Sequence, residues 1–291
     1  MAFDVYQAVT DKIIAELEKG IIPWNKPWSN VGACAVSRAT GKPYSMLNQM
    51  LLGKAGEYLT FKQVHDEGGK VKKGAKASMV VFWKMVLSAE TDNTGKPIIG
   101  ADEKAVMKSL PILKYFNVFH ISDCEGIEPR VRNSSLSDNE SERIETAEAV
   151  LHDYIEREHI GFTDVESDNA YYRPATDEIV IPNISQFDKP VGYYGTAFHE
   201  AVHSTGHKSR LNRLESGINA AFGSQVYSKE ELVAEIGSAA IMSELGLQTD
   251  ATLTNSAAYI QSWLKPLKND KRFIVSAASR AEKAVKLILN R

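Results

Sequence analysis

Cysteine is scarce in this chain: 291 residues contain only Cys34 and Cys124. Two cysteines cannot build a disulfide framework, and these two lack the close pairing of zinc-thiolate motifs. A disulfide-stapled secreted fold is therefore excluded, and a reducing, cytoplasmic setting is expected. Long apolar runs are also missing, so no segment reads as a membrane span. Met1-Ala2-Phe3-Asp4 offers neither the basic nor the apolar part of a signal peptide. What remains is an ordinary globular composition, 43% hydrophobic and 24% charged. It suits one large or two ordinary domains.

Charge is unevenly distributed. Residues 1–132 carry 18 Lys/Arg and 14 Asp/Glu, a net of +4, whereas residues 133–291 carry 16 and 23, a net of −7. Such asymmetry points to two units with different partners. Between them, Asn133 to Ser141 is polar and has no hydrophobic period, as a linker would. The expected organisation is an α+β domain over 1–132, a linker at 133–141, and a mainly helical domain over 142–291.

Periodicity places the elements. Apolar residues at 5, 6, 9, 13, 14 and 17 predict a helix from Val5 to Leu17. Met46–Leu52 and Thr60–Glu67 read as short helices, the second stopped by Gly68-Gly69. Met79–Val86 and Lys114–Ile121 read as strands, with a loop or hairpin over 88–109. In the second half, helices are expected at Ser141–Glu158, Glu230–Leu245, Ala257–Leu264 and Ser276–Leu289. Asp177–Pro182 reads as a strand leading to the next motif.

That motif is His199-Glu200-Ala201-Val202-His203. Two histidines four apart share one helix face, so both imidazoles can reach one metal ion. Glu200 then sits where it can take a proton from a water on the metal. Ala197, Phe198, Ala201 and Val202 mark the helix as buried, and buried imidazoles need partners. A catalytic zinc site takes three protein ligands. The third-histidine position of the longer His-Glu-x-x-His-x-x-Gly-x-x-His scheme holds Ser209, and His207 follows a helix-ending Gly206. Glu231 and Glu235 are better candidates, four apart on one helix face. This pair resembles the thermolysin-like scheme. By that resemblance Glu231 ligates the metal, and Glu235 hydrogen-bonds the free ring nitrogen of a histidine ligand. Ser228 and Glu231 also form a capping-box pattern, however. If Glu231 only caps, Glu235 is the ligand. Zinc is the expected ion, with another divalent ion such as Mn2+ also compatible. A strand before such a helix can be the edge strand that holds an extended peptide. Tyr171, Tyr172, Tyr193 and Tyr194 read as packing residues.

The first half has a basic stretch: Lys70, Lys72, Lys73 and Lys76 cluster before Trp83, and Trp24, Lys26, Trp28, Lys42 and Tyr44 lie upstream. Lysines can meet phosphates while rings stack on bases, as single-stranded nucleic acid requires. A solvated basic turn beside core tryptophans gives the same composition.

Several segments together resemble the ArdC-type antirestriction family. They are Ile22-Pro23-Trp24-Asn25-Lys26-Pro27-Trp28, Thr40-Gly41-Lys42-Pro43-Tyr44-Ser45-Met46-Leu47-Asn48, Gly68 to Gly74, Val81-Phe82-Trp83-Lys84 and Phe116-Asn117-Val118-Phe119. His199 to Gly206, Arg210-Leu211 and Glu230 to Glu235 follow in the same order. The sequence departs from the pattern at His120-Ile121-Ser122-Asp123-Cys124, where the family usually shows an Asn and a Gln. The resemblance implies a non-sequence-specific domain that prefers single-stranded DNA, joined to a zincin-like metallopeptidase domain. It also implies carriage on mobile elements and protection of incoming DNA from restriction. Two other readings stay open: a metallopeptidase whose basic accessory domain does not require DNA, and a DNA-binding protein whose metal site is structural or inactive. A protein substrate is possible, and no membrane partner is expected.

Overall fold

A short polar side chain starts the first helix. Asp4 accepts a hydrogen bond from the Gln7 backbone N–H and caps α1 (Val5–Glu18), whose Val9, Ile13 and Leu17 turn into the core. The computed structural model describes residues 3–24, 34–100, 104–130, 140–214, 225–247 and 256–291. In the first half a four-stranded sheet has the order β1-β2-β5-β4. β1 (Ala35–Ser37) runs parallel to β2 (Gly56–Leu59). β2 pairs antiparallel with β5 (Met107–His120), and β5 pairs with β4 (Ser78–Ala89). α2 (Met46–Leu52) lies between β1 and β2 and ends at Gly53. α3 (Phe61–Asp66) opens with a Thr60–Gln63 capping box. β3 (Lys70–Val71) and β6 (Cys124–Glu125) make a separate two-stranded ladder.

The β4–β5 ribbon is longer than its side-chain pattern predicts. Pairing continues from Ser78↔Val118 to Ala89↔Met107, adding residues 110–113 to the expected strand and reaching into both ends of the 88–109 loop or hairpin. Backbone hydrogen bonds carry this ladder where buried apolar residues no longer mark it.

In the second half, α4 (Glu140–Glu158) claims the last two residues of the expected linker, whose remainder lies outside the described residues. A three-stranded sheet follows, ordered β7-β9-β8: β7 (Gly161–Val165), β8 (Tyr171–Arg173) and β9 (Glu178–Pro182). β9 was expected to offer an edge. It is instead the central strand, paired in parallel with β7 and antiparallel with β8. Its backbone groups are engaged on both sides, so β9 cannot hold a peptide by strand addition. Then come α5 (Pro190–Ser204), α6 (Gln225–Glu244), α7 (Ser256–Asn269) and α8 (Phe273–Ile288). The fold class is α+β, with helices dominating the second half.

The two halves share one core. Val9, Ile13, Leu17 and Trp24 belong to the same buried cluster as Trp263, Leu267 and Ile274. Trp24 meets Trp263 edge to face, with ring centroids 5.0 Å apart. Around this seam Thr10 donates to the Lys271 carbonyl at 2.8 Å, and Lys268 pairs with Glu18 at 2.7 Å.

Candidate functional site

The motif helix is buried because its flanks are apolar: Ala197, Phe198, Ala201 and Val202 are all shielded from solvent. α6 packs against it closely. A Cβ added at Gly237 would stand 2.8 Å from Val202 Cγ2, so glycine there allows the approach. This contact brings an α6 carboxylate onto the histidines. His199 Nε2 and His203 Nε2 face each other at 3.2 Å. Glu231 spans the pair, with Oε2 at 3.5 Å from His199 Nε2 and Oε1 at 3.4 Å from His203 Nε2. Donors bound at about 2.1 Å to one tetrahedral ion stand roughly 3.4 Å apart. The three separations match that spacing, and the two-histidine, one-carboxylate set suits zinc or a neighbouring divalent ion. Glu200, between the histidines in sequence, is buried at 8% exposure.

The capping alternative for Glu231 falls away. α6 begins at Gln225, three residues before Ser228, so Ser228 is inside the helix and not at its N-cap. Glu235 does not take the place expected of it either. Among the described contacts it hydrogen-bonds neither imidazole, and burial raises its carboxyl above the ordinary range. Glu230, absent from the sequence-based candidates, faces His203 Nδ1 at 3.4 Å. Adjacent residues on a helix point about 100° apart, so Glu230 and Glu231 flank one imidazole from two sides. Arg213 fixes Glu230, with Nη2 donating at 2.8 Å and Nε at 3.1 Å. The same guanidinium donates to Thr205 Oγ1 and to the Val202 carbonyl, tying it to the end of α5. Only the Glu-Glu doublet at 230–231 could have signalled this in the sequence. Nothing local marks Arg213. A carboxylate on a ligand's far nitrogen sets its tautomer and basicity. Glu230→Gln is accordingly expected to weaken divalent-metal affinity by about 10–100-fold, read by titration calorimetry. Unchanged affinity would remove Glu230 from the site.

Electrostatics agree with a cation site. Burial disfavours a charged His203, but hydrogen bonds to Glu230 and Glu231 and the charge of Glu200 outweigh it and raise the imidazole to about 10. Burial likewise raises Glu231, yet its bonds to His199 and His203 win and hold it well below the usual carboxylate range. Since His203 keeps a proton up to about pH 10, an incoming ion must displace it. Metal affinity is therefore expected to rise about tenfold per pH unit from pH 6 to 9, checked by titration across that range. A flat profile would mean that no proton is released.

The turn after α5 is held by Arg210, which pairs with Asp177 and donates to the Ser204 carbonyl at 2.8 Å. His207 Nδ1 bonds Ser209 Oγ at 2.7 Å and stays apart from the three donors. Tyr172 donates to Asp177 at 2.7 Å and Tyr193 to Asp164 at 3.0 Å, while Tyr194 is buried in the core.

The residues chosen for nucleic acid separate. Trp24 is 3% exposed and belongs to the shared core, so it cannot stack on a base. Lys26 and Trp28 lie outside the described residues. Lys42, Tyr44 and Trp83 come together, lining a groove of about 470 Å3 between the first half and α8. Lys70, Lys72, Lys73 and Lys76 sit exposed at the β3 turn, apart from that groove. The Lys72 ammonium donates to the Ser122 carbonyl at 2.8 Å.

Residues 3–119 match the family described as the N-terminal domain of anti-restriction factor ArdC, and residues 149–280 match a zincin-like metallopeptidase family. A crystal structure of the antirestriction ArdC protein from plasmid R388, in metal-free form, superposes with a TM-score of 0.74. It is 33% identical, over 98% of this chain and 97% of that one. The chain belongs to the ArdC antirestriction family. An Mn(II)-bound structure of R388 ArdC matches equally well, with a TM-score of 0.74 and 33% identity over 99% of this chain and 98% of that one. Other relatives of this ArdC-family chain are described differently. An uncharacterized protein y4eC of Sinorhizobium fredii is 33% identical over 96% of this chain and 89% of its own length. DNA primase TraC of Escherichia coli is 34% identical over 96% of this chain, which spans only 19% of that relative. A second TraC matches at 34% over 98% of this chain, which spans 27% of that one. Among the described residues no helix is long and apolar enough to cross a membrane.

Proposed function

We propose that this protein is a mobile-element antirestriction factor that binds single-stranded DNA through its first half and carries a metal-dependent peptidase site in its second. The observation supporting the second part is the convergence of three metal donors at 3.2–3.5 Å beside the buried carboxylate of Glu200. His199, His203 and Glu231 would hold a divalent ion. Zinc suits the donor set, and manganese suits the likeness to Mn(II)-bound ArdC. Such an ion supplies Lewis acidity and a water acidified towards neutrality. Glu200 would serve as the proton acceptor and donor of peptide hydrolysis beside that ion, taking a proton from the attacking water and giving it to the leaving amine. Glu230 and Arg213 keep His203 in the orientation this requires. Two free thiols accord with a cytoplasmic location.

The test starts from chelator-stripped full-length protein titrated with Zn2+ or Mn2+. One ion per chain is expected, with binding lost in His199→Ala. A parent that binds no ion would sink the metal reading. Peptide hydrolysis is then followed with and without single-stranded DNA. Cleavage indifferent to DNA would favour a peptidase with an accessory basic domain. Metal binding without cleavage under either condition would favour a DNA-binding protein with a structural metal.

A further inference from the structure

The β4–β5 ribbon has two chemically different faces. Directly opposed residues on an antiparallel ladder point to the same side. The register Phe82↔Lys114, Lys84↔Ile112 and Ser88↔Lys108 therefore puts all three lysines of the two strands on one face. Neither strand contains an aspartate or glutamate. None of the three lysines makes an ion pair with a described residue, and all three are exposed. On the same face Phe82 and Phe116 lie flat against each other, centroids 4.7 Å apart and planes within 6°, and Phe116 is 54% exposed. The opposite face carries Trp83, Met85, Leu87, Met107 and Tyr115 and no charge.

A strip of unpaired cations without acids, set around an exposed flat ring, complements a flexible polyanion with stackable bases. The rungs span about 20 Å at roughly 3.3 Å per residue, the scale of a few nucleotides. Phe82 also borders the groove that Lys42 and Tyr44 share with Val81 and Trp83 of the opposite face. We infer that the Lys84–Lys108–Lys114 face of the ribbon, with the Phe82–Phe116 pair, is the platform on which single-stranded DNA lies. The lysine turn at 70–76 has no such ring pair and is an accessory contact at most. This inference rests on the DNA-binding reading and gives it a place.

The test uses the full chain and a fluorescein-labelled 20-mer oligo-dT, read by anisotropy over a salt series with duplex as competitor. The parent is expected to bind and to prefer the single strand. Lys84→Ser/Lys108→Ser/Lys114→Ser should weaken binding at least tenfold and flatten the salt slope by about two. Phe116→Ala should weaken binding about tenfold with the slope unchanged. Lys70→Ser/Lys72→Ser/Lys73→Ser/Lys76→Ser should lose less than the ribbon triple variant. All the substituted side chains are exposed, and thermal melting checks that each variant is folded. If the parent binds and the ribbon variants match it in affinity and slope, the platform is misplaced while DNA binding stands. If the parent binds no single strand, or binds duplex equally, the DNA reading itself fails.

Discussion

Glu200→Gln is expected to leave divalent-metal affinity within a few-fold of the parent and to lower the proposed peptide hydrolysis by about 10²–10⁴-fold. The amide has nearly the volume of the carboxylate, so the buried pocket around residue 200 is not emptied. His199, His203 and Glu231 keep their positions, because none of them depends on Glu200 for the contacts that bring them together. What glutamine lacks is a site that can take and return a proton. His203→Ala is the contrasting variant: it removes a donor, and both metal and hydrolysis are lost together. Calorimetry and a fluorogenic peptide assay on the same preparations separate the two patterns. Full activity in Glu200→Gln would sink the general-base role. Loss of metal in that variant would make Glu200 a structural residue of the site.

Trp24→Ala lowers the stability of the whole chain by about 3–5 kcal/mol and its melting midpoint by roughly 10 °C. Trp24 is buried edge-on to Trp263 of α7, in a cluster that includes residues from both halves. Truncation removes one of the two tryptophans that meet at that seam and leaves a cavity. Because the core is shared, parent and variant should each unfold in one transition followed identically by fluorescence and circular dichroism. Two separate transitions would show that the halves are energetically independent. A variant as stable as the parent would mean that Trp24 is not a core residue.

The contrast between these two residues shows how far the sequence could be read. Glu200 and its flanking histidines were legible because their relation is local. Residues four apart on a helix share a face whatever the helix packs against. The same locality made α1, α3 and the strand before α5 visible, through apolar period and capping chemistry. The short strands β1, β2, β7 and β8 lack the unbroken apolar run Ile179-Val180-Ile181 that marks β9, and carry too little pattern to be seen. A tryptophan beside lysines has the same composition whether it stacks on a base or fills a core. Only the packing of α1 against α7 and α8 decided for Trp24, and β4–β5 pairing decided which lysines share a face with rings. The family segments and the His-Glu-x-x-His helix were thus determined by the sequence itself. Tertiary structure brought Glu231 within 3.4–3.5 Å of both imidazoles, set Glu230 and Arg213 beside His203, and made β9 a central strand. Those outcomes depend on contacts between residues distant along the chain, and local preferences carry no information about such contacts.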